Sequence, residues 1–460
     1  MAVLVFEGFL STPDMAALLD EQATVQAMMD FEAALARAQA RAGLIPPAAA
    51  QAIASLCRAE LYDVPGLVAA SGRCGSLAVP LVRKLTETVA LFDPAAAGYV
   101  HLGCCQQDLL DTALVLQLRR ALRLIDEDLL ALCGHLLDLA ERSAAMPMLA
   151  RAQLQPTLVG SLRSKLTPVL LPLLRSAQAL RREAGEALLL QLGGTAGAQA
   201  ALGPQADAVA AQMAAELQLG LAEMPWLTQR DRLVRLAAEL ALLCAGLGKL
   251  ARDLALLGQA EVGEIATPDL GAGGSILPHK RQPVAHAQAL AAARRAPQRV
   301  AALLACMDQE HEGGVAGWQA EPAEWAGLLL SSHGALRALS TAVAGLQVQP
   351  ARMLGNIDAQ QDLVCAEGLT QLLARAWGPT RAQQAVEGLA QRARSQGLAL
   401  RRLARTLLQE DAELGAAIAP AELEEVFDVQ AAARQADARV GPALQQARAR
   451  WQALIDSPPP

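Results

Sequence analysis

The sequence predicts an all-α protein in which three helical domains surround a central bundle of long helices. Aromatic residues make up only 3% of the 460 residues, which disfavours a β-sandwich. Hydrophobic residues reach 53% and charged residues only 18%, so disorder is excluded. Apolar residues also recur at helical spacing over stretches about twice as long as an average globular helix.

The predicted domains follow from where the helical pattern changes. Residues 1–100 carry shorter helices and end in the loop LFDPAAAGYV, and residues 349–460 return to shorter helices near Pro350. Residues 101–348 form the predicted bundle. Its helices are expected at 108–142, at about 158–192, at 228–258, after Pro283, and from Pro322 to about 348. In the first of them, Val115, Leu122, Leu129 and Leu136 form one helical stripe.

These long helices are apolar on several faces, which is typical of helices buried in an oligomer. We therefore expect a homotetramer. The net charge of −7 offers no basic surface to nucleic acid, and no apolar run is long enough for a membrane span. The amino-terminal residues lack the basic start of a signal peptide, so we expect a cytoplasmic protein. Its eight cysteines include no C-x-x-C pair and are interpreted as buried thiols in a reducing compartment.

Three polar segments interrupt the bundle pattern, each at the start of a long helix: 101–108, 151–156 and 271–283. Helix N-termini favour anions, so three such ends brought together would suit a polycarboxylate. In the third segment, three glycines precede Ser275, and Lys280 is one of only four lysines in the chain. This segment is interpreted as a lid that closes over an anion, against the alternative of a flexible linker with solvated charges.

The segment Ser275-Ile-Leu-Pro-His-Lys-Arg-Gln-Pro283 resembles the loop G-S-S-x-M-P-x-K-x-N-P of the fumarase/aspartase superfamily. Further stretches resemble the 3-carboxy-cis,cis-muconate cycloisomerases of that superfamily, in the same order and over nearly the whole chain: FEAALARAQARAGLIP, YVHLGCCQQDLLDTALVLQLRRAL, WLTQRDRL and QEHE. The resemblance implies three helical domains and a homotetramer whose active sites are built from three subunits. It also implies proton transfer next to a carboxylate, with addition or elimination at the β-carbon.

The resemblance assigns roles to individual residues. Ser275 matches the proposed base, His101 matches the histidine of H-x-G-x-T-S and is the second implied catalytic residue, and Lys280 matches the lysine that pairs with a substrate carboxylate. The remaining implied substrate-binding positions are Gln155, Arg230, Gln282, Cys105, Gln106, Gln153 and Ser76. The six histidines show no zinc-ligand spacing, and we expect neither a metal nor an organic cofactor.

Several of these positions depart from the family pattern. Cys105-Gln106 replaces the Thr-Ser pair, Gln153 a Trp or His, and Ser76-Leu77 an Asn-Ser pair. Other departures are Gly274 for serine, Ile276 for Thr or Ala, Leu227 and Gln319 for histidine, Gly313 for arginine and Gln282 for asparagine. Three hypotheses remain open: a cycloisomerase-like enzyme that forms a lactone from a polycarboxylate, a lyase that releases fumarate from a substituted succinate, and a non-catalytic homolog. The two enzymes would share the same residues and differ in the leaving group.

Overall fold

A computed structural model describes residues 7–268 and 282–459, so Ser275 and Lys280 lie outside the described residues. Within those ranges the chain forms 18 α-helices and three two-stranded sheets, which confirms the all-α prediction. The helices before the bundle are α1 (Pro13–Leu18), α2 (Glu21–Arg41), α3 (Pro47–Leu56), α4 (Val64–Cys74) and α5 (Ala78–Phe92). Thr12 and Asp20 cap α1 and α2 by accepting hydrogen bonds from backbone N–H groups in the first turns.

Five long helices form the central bundle: α6 (Gln106–Arg142), α7 (Leu162–Ala187), α9 (Asp231–Gly258), α10 (Val284–Ala305) and α11 (Gly317–Ala344). A shorter helix, α8 (Ala206–Leu217), packs against α2. Leucine and alanine side chains from all five long helices share one apolar core, in which positions such as Leu118, Leu236 and Leu336 are completely buried. The apolar stripe of α6 lies in this core, so the helical periodicity correctly marked its buried face.

The bundle has two ends. The first residues of α6, α9 and α11 lie together at one of them, here called the His101 end, since Arg230 just before α9 bonds to Asp111 of α6 and Glu321 of α11. The strands β1 (Pro147–Ala152) and β2 (Gln155–Ser161) form an antiparallel hairpin at the other end, here called the hairpin end. With 37 residues at 1.5 Å each, α6 alone separates the two ends by about 55 Å.

Four predicted helix boundaries are wrong. The fifth long helix ends at Ala344 instead of about 348, because Gln347–Val348 pairs with Ile265–Ala266. The second long helix starts at Leu162 rather than 158, because residues 155–161 pair with β1 and Ser161 then caps the helix. It also ends at Ala187 instead of 192, since Leu189–Leu190 forms β3 and pairs with β4 (Gly220–Leu221). The fifth long helix begins at Gly317 and contains Pro322; buried Trp318 anchors its first turn through a hydrogen bond from Nε1 to the Gly314 carbonyl.

The remaining helices are α12 (Pro350–Asp358), α13 (Ala366–Trp377), α14 (Pro379–Gln396), α15 (Leu400–Glu410), α16 (Ala412–Ala417), α17 (Pro420–Val426) and α18 (Val429–Asp456). A short sheet joins β5 (Ile265–Ala266) to β6 (Gln347–Val348). Helix α18 returns to the bundle, where Trp451 Nε1 donates to the Leu130 carbonyl at 2.8 Å. The predicted domain boundaries at 100 and 348 stay predictions.

The structure also bears on two predictions from the sequence: that the cysteines are buried, and that no segment spans a membrane. Cys74 is exposed, contrary to the interpretation of the cysteines as buried thiols, because it is the last residue of α4 and left-handed Gly75 turns the chain there. Across residues 7–268 and 282–459, none of the helices combines the length and apolarity needed to cross a bilayer.

Candidate functional site at two ends of the bundle

Asp108 organises the start of α6 at the His101 end. Its fully buried carboxylate accepts hydrogen bonds from the backbone N–H groups of Cys105, Gly193 and Gly194 at 2.7–2.9 Å. Gln191 donates a fourth hydrogen bond to the same carboxylate through its side-chain amide, at 2.9 Å. The loop after β3 is therefore held against the helix that carries the H-x-G segment.

His101 lies just before α6, with a left-handed backbone (φ 58°) that is unusual for a residue other than glycine. Its ring nitrogen Nδ1 lies 2.5 Å from Oε1 of Glu32 on α2 and 3.2 Å from Sγ of Cys104. Burial disfavours a charged imidazole, but the hydrogen bond and charge of Glu32, assisted by Asp108, raise the pKa of His101. The predicted catalytic histidine thus has a buried carboxylate partner. Sequence analysis missed Glu32 because it lies 69 residues from His101.

Arg230 is locked in a buried ion triad at the same end. The guanidinium donates to both carboxylate oxygens of Asp111 on α6, at 2.7 and 2.9 Å, and to both oxygens of Glu321 on α11, at 2.6–3.1 Å. Arg230 is 1% exposed, Asp111 4% and Glu321 2%. The predicted substrate-binding arginine therefore ties three bundle helices together. Sequence analysis missed both partners, which lie 119 and 91 residues away.

A cavity of about 470 Å³ opens beside this triad. Arg230 and Ser76 both line it, so the structure brings these two predicted residues together. Gln319, one of the departures from the family pattern, lines it as well, and Leu110, Leu114 and Leu329 add apolar surface. Ser76 is buried, and its hydroxyl accepts a hydrogen bond from the Ala78 backbone N–H. The cavity is large enough for a small organic acid.

Cys105 and Gln106 occupy the N-cap and first position of α6. Gln106 is exposed to solvent, whereas Cys105 is partly buried. Burial and the charge of Asp108 raise the pKa of the Cys105 thiol to about 12, so the thiol is neutral at physiological pH. In place of two hydroxyls, the helix start therefore presents a neutral thiol and an amide.

Gln153 and Gln155 lie at the opposite end, at the tip of the β1–β2 hairpin, where both are exposed. Gln153 adopts a left-handed backbone (φ 51°) in the turn. It lines a cavity of about 410 Å³ together with Arg151 and Lys165. Burial lowers the pKa of Lys165, and the nearby cations Lys249 and Arg151 lower it further, while Asp253 and Glu264 oppose them.

The segment that contains Ser275 and Lys280 is bordered by residues of the hairpin end. On its amino-terminal side, buried Glu264 pairs with Arg151 at 2.6 Å, and β5 follows directly. On its carboxyl-terminal side, exposed Gln282 precedes α10. Helix α6, roughly 55 Å long, thus separates His101 and Arg230 at one end from Gln153 and Gln155 at the other, which is farther than any small substrate reaches within one chain.

Comparison with known proteins gives consistent matches along this chain. A family model described as Lyase matches residues 10–297. A 3-carboxy-cis,cis-muconate cycloisomerase of Pseudomonas aeruginosa is 44% identical over 426 residues, 92% of this chain and 92% of that protein. The nitrosuccinate lyase of Streptomyces davaonensis is 34% identical over 446 residues, 93% of this chain and 92% of that protein. The crystal structure of 3-carboxy-cis,cis-muconate lactonizing enzyme from Pseudomonas putida superposes with a TM-score of 0.90 at 39% identity, covering 98% of this chain and 100% of that one.

Proposed function

The chain belongs to the lyase family of the fumarase/aspartase superfamily, and from that premise we propose that it converts 3-carboxy-cis,cis-muconate to a lactone. The observation that carries this proposal is the agreement with the Pseudomonas aeruginosa cycloisomerase along nearly the whole of both chains. The enzyme class, a lyase or cycloisomerase of this superfamily, follows from the family itself.

The proposed reaction is an isomerisation, so no oxidant or reductant is needed. One substrate carboxylate oxygen forms a C–O bond to one carbon of a double bond, and a proton adds to the other carbon, which lies next to a second carboxylate. Negative charge develops on that second carboxylate as an aci-carboxylate, and a fixed cation stabilises it. By the family resemblance, Ser275 exchanges the proton and Lys280 faces the carboxylate.

We also assign this activity to a homotetramer with composite sites. Support comes from the length of α6, because a substrate at the His101 end cannot touch the hairpin end of the same chain. If neighbouring chains run antiparallel, the hairpin end of one chain meets the His101 end of another. A monodisperse monomer with full activity in sedimentation experiments would contradict this assignment. A cytoplasmic location stays a prediction.

The central test is a spectroscopic assay of turnover. Addition of the enzyme to 3-carboxy-cis,cis-muconate should remove the ultraviolet absorbance of the conjugated diene. Ser275→Ala should lower the rate by on the order of 10²–10⁴ while leaving substrate binding nearly intact. Lys280→Ala should weaken both binding and rate. Lys280→Arg should restore activity only in part, because a planar guanidinium does not replace a compact ammonium.

Ser395→Ala is the matched control, because this exposed serine lies in α14 and bonds only to the Arg392 carbonyl of its own helix. Wild-type turnover by Ser275→Ala would remove Ser275 from the mechanism. No loss of diene absorbance with the wild-type protein would reject the substrate.

A fumarate-releasing lyase is the second candidate, and two observations favour it. The nitrosuccinate lyase relative covers almost the entire chain, and Cys105, Gln106 and Gln153 replace the family's usual polar groups. A site with fewer hydroxyl donors binds a tricarboxylate less well than a substrate with fewer charges. Release of fumarate from nitrosuccinate, without activity on the muconate, would decide for this candidate.

A further inference from the structure

We propose that Glu32, His101 and Cys104 form a binding site for a zinc-like divalent cation. Glu32 Oε1 lies 2.5 Å from His101 Nδ1, and Cys104 Sγ lies 3.2 Å from the same nitrogen. Carboxylate, imidazole and thiolate are the side chains that zinc prefers. This set was not predictable from the sequence, because only His101 and Cys104 are close along the chain.

The arrangement is that of a ligand cluster rather than of a proton relay. In a nucleophile–histidine–carboxylate relay, the two partners bind opposite ring nitrogens. Here Glu32 and Cys104 both approach Nδ1, and the three donor atoms lie within 4.8 Å of one another. Two donors on one tetrahedral zinc ion stand about 3.3–3.6 Å apart, so the thiol, which is 3.2 Å from Nδ1, must move back slightly. The carboxylate of Glu32 must move back by about 0.8 Å, which a small rotation at the end of its side chain achieves.

An unsatisfied buried oxygen in the cluster is a second observation that favours a cation site. Glu32 is 1% exposed, and its Oε2 atom has no hydrogen-bond partner in the part of the chain that the structure describes. Buried carboxylate oxygens ordinarily have a partner, and leaving one unpaired is costly. A bound cation would supply that partner and would also use the lone pairs of Nδ1 and Sγ.

The charges of the three donors suit a divalent cation. One carboxylate and one thiolate would neutralise the two charges of zinc, and the imidazole would complete three protein ligands. The left-handed backbone of His101 fixes the ring beside both partners.

The probe for this proposal is Co²⁺, which reports thiolate ligation by absorbance. The untagged protein, freed of metal by a chelator, is titrated with cobalt chloride and then with zinc chloride. We expect one Co²⁺ per chain, with a thiolate-to-cobalt charge-transfer band that zinc abolishes by displacement. Glu32→Gln and Cys104→Ser should each lower Co²⁺ affinity by more than the roughly 10–100-fold that outer-shell partners typically contribute.

Cys105→Ser and Cys74→Ser are the matched controls, since one removes the adjacent thiol and the other an exposed thiol. Both should keep the band. Far-ultraviolet circular dichroism shows whether Glu32→Gln and Cys104→Ser still fold. If Glu32→Gln does not fold, the comparison of Cys104→Ser with the wild-type protein still decides. Absence of a charge-transfer band in the wild-type protein, or a band that survives Cys104→Ser, overturns the proposal. Neither outcome depends on the reaction proposed above.

Discussion

Replacing Arg230 by methionine should destabilise the protein strongly, because it leaves Asp111 and Glu321 buried without their cation. The guanidinium donates five hydrogen bonds to these two carboxylates, which are almost inaccessible to solvent. Removing one partner of a single buried ion pair costs about 3–5 kcal/mol. Because Arg230 serves two carboxylates, we expect a loss at the upper end of that range, which is a large part of the stability of a typical domain.

The loss of stability caused by Arg230→Met should also grow as the pH rises. Burial already raises the pKa of Glu321, although Arg230 opposes the shift. Without Arg230 that pKa rises further, so the folded variant binds more protons than the unfolded chain does. Stability then falls with increasing pH, from the ordinary carboxyl pKa up to the raised folded value. Urea denaturation followed by circular dichroism at several pH values measures this slope.

Two further variants test the reasoning. Arg235→Met is the control, because Arg235 and its partner Asp231 are exposed and such surface pairs contribute about 0–1 kcal/mol. The triple variant Arg230→Met, Asp111→Asn, Glu321→Gln should recover much of the loss, since no buried charge remains. If Arg230→Met costs no more than Arg235→Met, or the triple variant is no more stable than the single one, the triad argument is wrong. Unchanged stability with a raised KM would instead support the substrate-binding role predicted for Arg230.

Two more predictions concern the packing of the amino-terminal residues and the charge of α6. Gly334→Ala should destabilise the folded protein by about 1–3 kcal/mol, because the new methyl group would strike the Leu10 carbonyl. Gly355→Ala, which adds a methyl group in open space on α12, should stabilise the folded protein slightly. Thermal denaturation compares the two variants. Burial opposes ionisation of Asp128, but hydrogen bonds from His333 and Arg337 lower its pKa below the ordinary 3.8. Asp128→Asn should therefore cost about 1–3 kcal/mol at neutral pH, and this deficit should vanish as the pH falls through the lowered pKa, measured by urea denaturation in acid.

The fold was predictable because long helices carry their signal locally. The stripe that begins at Val115 faces the common core, and the ends of α6 and α9 lie within three residues of the predicted positions. The hairpin at 147–161 was not predictable in this way. Its second strand has no clear alternation of buried and exposed residues, since Thr157 and Leu158 are both exposed and residues 159–161 are all buried. Pairing with β1, rather than periodicity, determines this strand.

The candidate site was predictable only where residues share a motif. His101, Arg230 and Gln155 were found from their neighbours in sequence, whereas Glu32 and Glu321 act across 69 and 91 residues. Tertiary folding alone brings such partners together, so no spacing rule could have identified them. The sequence also could not show that the two groups of site residues lie at opposite ends of the bundle. That separation follows from α6 being one unbroken helix.

Burial accounts for only part of what this chain has kept. Arg230 and His101 match the superfamily and bond to buried carboxylates, whereas Gln155 also matches and is exposed. Disrupting a buried ionic network is costly. Most described departures lie at exposed positions, including Gln106, Gln153, Gly313 and Gln319, where substitution costs little stability. Leu227 and Ser76 are buried exceptions: the apolar Leu227 needs no hydrogen-bond partner, and the Ser76 hydroxyl accepts one from the Ala78 backbone N–H. A non-catalytic homolog would keep the buried networks as well, because losing them costs stability whether or not the site turns over. The altered exposed groups are therefore what can separate the candidate substrates, which makes nitrosuccinate the first compound to compare with the muconate.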